Sequence, residues 1–177
     1  DMLMAPSLPE EEISTRKGEV ITAIRQDEDN PAVRAVEALM TLLYPDGHPY
    51  GRPTKGTIAS IGSLTRKQLL QLHADRFAPT ELTAVIVGDV EVGHARDLAA
   101  RVLGDWRTPA PVPVVVGSPM PAVSRRRLIV PMMNKAQADL AYGFTTIRRA
   151  DPAYEALRLM NNVLGQYALG GRLGDSI

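Results

Sequence analysis

The sequence predicts an α+β fold in two lobes, with helices packed on mostly antiparallel sheets. Three observations predict it. Several stretches repeat apolar residues at three- and four-residue spacing, the mark of helices with one buried side. Others are runs of branched apolar residues or alternate strictly, as strands do. A segment with five prolines, RTPAPVPVVVGSPMPAV, separates the two lobes. The 177 residues suffice for one ordinary domain or for pieces of two, and 45% apolar with 23% charged residues is a globular composition.

The first helix is expected from about Pro9 to Asn30. Pro9 suits a first turn, and Glu10, Glu11 and Glu12 suit the positive end of the helix dipole. Ile13, Val20, Ile21 and Ile24 fall on one stripe. Pro31 opens a second helix, with Val33, Val36, Leu39, Met40 and Leu43 at helical spacing, which YPDGHPYGRP stops. In SLTRKQLLQLHADRFAP, Thr65 with Gln68 three residues on is a capping box, and Leu69, Leu72 and Phe77 form the expected buried side. Leu82–Val90, LTAVIVGDV, is a nearly continuous branched apolar run and predicts a buried strand. Gly93 leads into the helix HARDLAARVLGDW.

Residues 1–106 therefore read as the latter part of a first lobe, and Arg107–Val123 as a spacer stiffened by proline. Residues 124–177 read as the beginning of a second lobe, with strands in RRRLIVP and in ADLAYGFTTI, the latter alternating at Leu140, Tyr142, Phe144 and Thr146. Asp151-Pro152 then opens a helix through PAYEALRLMNNVLG. The start lacks an initiator methionine and a signal-peptide pattern, and the last residues carry no terminating signal, so both ends read as cut from a longer chain.

Bulk chemistry excludes several partners. Twenty basic and 20 acidic side chains cancel, which leaves no cationic field for nucleic acid or a polybasic membrane patch. Absence of cysteine removes disulfides, thiolate metal sites and a thiol nucleophile, and it suits cytoplasm and periplasm alike. No apolar run reaches the roughly 18–20 residues that span a bilayer.

The individual motifs carry little chemistry. Gly88 and Gly93 have P-loop spacing, but His94 and Ala95 stand where a lysine and a hydroxyl are required, so no triphosphate site is expected. No two of His48, His73 and His94 lie three or four residues apart, and each reads as structural or solvated. Asp27, Glu28 and Asp29 sit at a helix C-terminus, against the dipole; they are expected as a solvated helix end or, alternatively, as a contact for a partner's basic side chain. Arg125–Arg127 reads as a solvated edge.

Taken in order, EVITAIRQDEDNP, GHPYGRPTKGT, LTRKQLLQLHADRFAPTELTAVIVGDV, DPAYEALRLMNNVLG and GGRL resemble the M16 metallopeptidases, the insulinase, pitrilysin and mitochondrial-processing-peptidase family, over nearly the whole chain. The resemblance implies the M16/LuxS-like metallohydrolase type of fold. In that family a His-x-x-Glu-His motif supplies two zinc-binding imidazoles and a general base, and a glutamate on a separate helix is the third ligand. Aligning the turn Glu28–Pro31 and the pair Ile24-Arg25 with the family pattern places that glutamate position on Ala23. Where family enzymes often hold another acidic residue near the metal, this chain has Arg16.

An open zinc site needs three protein ligands and a water, so no catalytic or metal-binding residue is assigned here. Glu19, one turn from Ala23, is the one substitute ligand to weigh. The paired-histidine motif would lie before Asp1. The resemblance implies the inactive domain, which encloses a peptide substrate beside a zinc-bearing lobe or a homo- or heterodimer partner carrying His-x-x-Glu-His. Zinc belongs to the full-length protein or that partner. The alternatives are an active zinc metalloendopeptidase with ligands upstream and a purely structural M16-derived subunit. A bacterial periplasm or cytoplasm is favoured over the mitochondrion.

Overall fold

Among the described residues, six α-helices carry the architecture, each placed by local sequence. The computed structural model describes residues 3–45, 47–119, 124–165 and 171–176. Residues 1 and 2, the last four of the expected spacer (120–123) and Gly170 of the GGRL run lie outside that set.

Helix α1 spans Glu10–Glu28, its first turn carrying the three expected glutamates. Helix α2 spans Pro31–Leu43. Asn30 does not extend α1. Its Oδ1 accepts from the backbone N–H of Ala32 at 3.0 Å and of Val33 at 3.4 Å, and proline follows at the first helical position. Helix α3, Ile58–Ser63, is short and was not expected; Thr57 caps it and Ser60 reciprocates, completing a capping box. Helix α4, Arg66–Arg76, begins at the expected box, where Thr65 N–H donates to Gln68 Oε1 at 2.8 Å and Gln68 N–H donates to Thr65 Oγ1 at 3.2 Å. Helix α5 covers Val92–Leu103 and α6 covers Tyr154–Leu164. The last begins two residues beyond Pro152, because Asp151 forms a turn instead, accepting from Ala153 N–H at 2.8 Å.

The α+β expectation is overturned. Among the described residues no strand is formed, and the elements are helices joined by turns and irregular segments. Leu82–Val90 is not buried: Val85 is 80% and Val87 90% exposed. The alternating segment 138–147 forms no strand either, and Leu140 is 94% exposed. The physical reason is the difference between conformation and pairing. Branched and alternating residues favour extended backbone, but a sheet also needs a neighbour for every second N–H and C=O. Within Leu82–Val90 the one backbone hydrogen bond closes a turn, from Val90 N–H to Gly88 O.

What core there is lies among helices and turns, at Ile24 of α1, Ala78 after α4 and Trp106 after α5. Trp106 also donates its indole N–H to Thr108 Oγ1 at 2.9 Å. The expected buried side of α4 is likewise corrected, since Leu72 and Phe77 are exposed and Leu69 is half-buried. Arg66 anchors this helix by charge: its guanidinium donates to the carbonyls of Leu8 and Ser7 at 2.8 and 2.7 Å. The segment after the spacer returns to the first helices at Gly143. A Cβ there would stand 3.3 Å from Leu39 Cδ2 of α2, so glycine lets the backbone lie close to the helix.

Candidate functional site

Helix α1 carries the three positions that the resemblance singles out. Arg16, Glu19 and Ala23 share one side of it, spaced by three and four residues. Arg16 Nη1 donates to Glu19 Oε2 at 2.7 Å, with both side chains mostly exposed. The carboxylate weighed as a substitute ligand thus faces a guanidinium on its own helix. Ala23, half-buried, contributes a methyl group beside the buried Ile24. Among the described residues no three histidine, aspartate or glutamate side chains come together in a geometry that could hold a metal ion.

Two lysines of this chain meet the acidic shoulder at the end of α1. Lys55 Nζ pairs with Asp27 Oδ2 at 2.5 Å, and Lys135 Nζ pairs with Asp29 Oδ1 at 2.8 Å. The second pair joins residues 106 apart in sequence. Each is a partly exposed pair, worth roughly 0.2–1 kcal/mol after screening. Together they tie the loop before α3 and the segment after the spacer to one helix end.

The three histidines are far apart in role. His73 stacks on Phe77 at 4.8 Å, and its Nε2 contacts Leu3 O at 2.8 Å. His94 lies exposed at the start of α5. There Glu91 Oε2 accepts from His94 N–H at 2.8 Å, so the helix start that a phosphate would need is filled by the chain's own carboxylate. His48 belongs to a cluster that sequence reasoning missed. Its ring centroid lies 5.0 Å from Tyr44 and 5.4 Å from Tyr50, and Tyr44 and Tyr50 meet edge to face at 5.4 Å. The signal available was the spacing Tyr44-x-x-x-His48-x-Tyr50 in a loop of prolines and glycines. Arg125–Arg127 is exposed, on extended chain with no sheet edge.

With this geometry in view, the family can be stated. A family model described as peptidase M16 inactive domain matches residues 63–176, from the end of α3 to the last turn. The chain belongs to the peptidase M16 family. It is similar, at 24% identity over 174 residues, to a protein of Streptomyces coelicolor named a zinc protease; the match covers 93% of this chain and 37% of that one. A Mycobacterium tuberculosis protein, also named a zinc protease, is 25% identical over 173 residues, covering 93% of this chain and 38% of its own length. The chain therefore spans somewhat over a third of these relatives. A crystal structure of a peptidase M16 inactive domain from Pseudomonas fluorescens superposes with a TM-score of 0.71 at 24% identity, covering 98% of this chain and 41% of that one. The likeness to that domain is one of fold. This M16 chain is thus an inactive-domain chain of a zinc-protease family, and none of its described helices is long and apolar enough to cross a membrane.

Proposed function

We propose that the chain is the non-catalytic lobe or subunit of an M16 zinc peptidase and helps to enclose a peptide while a zinc-bearing lobe or partner cleaves it. One observation carries the proposal. The resemblance puts the family's third zinc ligand at Ala23, and Glu19, the substitute carboxylate one turn away, is paired with Arg16 at 2.7 Å. A methyl group has no lone pair for zinc, and a guanidinium adjacent to the site repels a dication. The match to the inactive-domain family supports the same reading.

In this reading, residues 1–106 close one lobe, 107–123 bridge, and 124–177 begin the next. The partner supplies zinc-activated water and a general-base glutamate, and the peptide bond is hydrolysed there. No residue of this chain takes part in a proton transfer or bond cleavage. Its contribution is surface that shields the substrate from bulk water.

The test uses the full-length protein alone and mixed with an M16 paralogue bearing His-x-x-Glu-His. Zinc content is measured in each, together with cleavage of an unfolded peptide. The expected result is zinc content and cleavage that Glu19→Gln leaves unchanged, both found in the protein alone where it carries its own zinc-bearing lobe and otherwise only in the pair. Near-stoichiometric zinc in the protein alone, lost in Glu19→Gln, overturns the proposal in favour of an active peptidase. That second reading draws on the relatives named zinc proteases. Absence of cleavage by the pair overturns it in favour of a structural subunit.

A further inference from the structure

We infer that His48 is a proton-gated latch that docks the proline-rich segment onto the loop after α2, independently of any role in proteolysis. Both ring nitrogens are engaged. Tyr50 N–H donates to His48 Nδ1 at 3.2 Å, and His48 Nε2 lies 3.0 Å from the carbonyl oxygen of Gly117. A backbone N–H can only donate, so Nδ1 holds its lone pair. A carbonyl oxygen can only accept, so Nε2 holds the proton. The two contacts together select one neutral tautomer, Nε2–H, and they join residues 69 apart in sequence.

A second proton, taken from solvent, goes to Nδ1. It converts the acceptor into a donor aimed at another donor, the Tyr50 N–H. The ring cannot keep this seat with two N–H groups opposed, so it turns, and the bond to Gly117 is lost with it. Tyr44 and Tyr50 border the ring with their phenols, and Asp46 of the same loop lies outside the described residues. Among the described residues, guanidiniums from two elements reach this corner. Arg52 donates to Gly47 O at 2.7 Å, and Arg148 donates to Ser118 Oγ at 3.1 Å. A shallow cavity of about 290 Å³ between the loop and Gly117–Pro119 leaves the ring room to turn.

Nuclear magnetic resonance of the full protein between pH 8 and pH 5 tests the latch. At pH 8 the long-range proton–nitrogen spectrum should show the Nε2–H tautomer. On acidification the amide signals of Tyr50, Gly117 and Ser118 should move with the midpoint of the ring itself. Exchange of the Tyr50 amide, relative to its intrinsic rate, should rise roughly fivefold, the weight of one net hydrogen bond. In His48→Gln, which keeps a donor toward Gly117 but cannot titrate, these movements should vanish. His48→Asn, which keeps an acceptor toward Tyr50, repeats the test should the first variant fail to fold. An Nδ1–H tautomer at pH 8 overturns the inference, as do Gly117 and Ser118 signals that stay fixed through the ring titration.

Discussion

Lys17→Met isolates the way α1 is held against its neighbour. The Lys17 ammonium donates to two carbonyl oxygens at the end of α3, Gly62 at 2.8 Å and Leu64 at 2.9 Å. Carbonyls at a helix C-terminus have no intrahelical partner, so this side chain supplies what the helix cannot. Methionine preserves the length and apolar bulk of the stem and deletes only the donor and its charge. A hydrogen bond from a charged group is worth about 1.5–3 kcal/mol. The Gly62 contact is solvent-exposed, and water can replace it at little cost. The loss should therefore be about 1.5 kcal/mol for the two bonds together, well below twice the single-bond value. For a chain of this size that lowers Tm by about 3–6 °C. Urea unfolding followed by far-UV circular dichroism should show a lower midpoint at unchanged slope. Lys17→Arg, which keeps donors, should lose less than half as much. A Lys17→Met midpoint equal to that of the parent protein would refute the assignment of α1–α3 packing to this ammonium.

Two further substitutions probe the corners of the helical frame. Asn30→Ala removes the acceptor for the Ala32 and Val33 amides and should cost about 1 kcal/mol in the same urea titration, while Asn30→Asp should cost little. Gly51→Ala would drive a Cβ into the carbonyl oxygen of Tyr44, which backbone cannot easily yield. It should destabilise by about 1–3 kcal/mol and displace the Tyr44–His48–Tyr50 rings, read as altered near-UV dichroism.

The helices were legible because their signals are local. Pro31 at a helix start, three glutamates in the first turn of α1 and the Thr65–Gln68 box each act within one turn, and each appears where the residues place it. Helix α3 escaped notice because it is too short for an apolar period and its cap partner is Ser60, where the familiar box carries glutamate or glutamine. The sheets misled for the opposite reason. A run such as LTAVIVGDV specifies extended backbone from its own atoms, but its pairing depends on another segment, and no residue type encodes which one. The same limit governs the site. Asp27 and Asp29 looked unfavourable against the helix dipole, yet their partners Lys55 and Lys135 are not neighbours in sequence. His48 stood out only as a lone histidine until Gly117 came within 3.0 Å.

Fold and metal chemistry are separable in this helix, and the contacts of α1 say why. In a working zinc site, a metal–carboxylate bond would help to fix the orientation of the helix that carries it. Here α1 is fixed from other directions: Lys17 reaches α3, Lys55 reaches Asp27 and Lys135 reaches Asp29. None of these bonds involves residue 23, whose methyl group sits next to the buried Ile24. The helix therefore keeps its place whether or not a ligand stands at Ala23. On the proposed reading, a methyl group in place of a ligand carboxylate costs the frame little, because the contacts that hold α1 do not pass through residue 23.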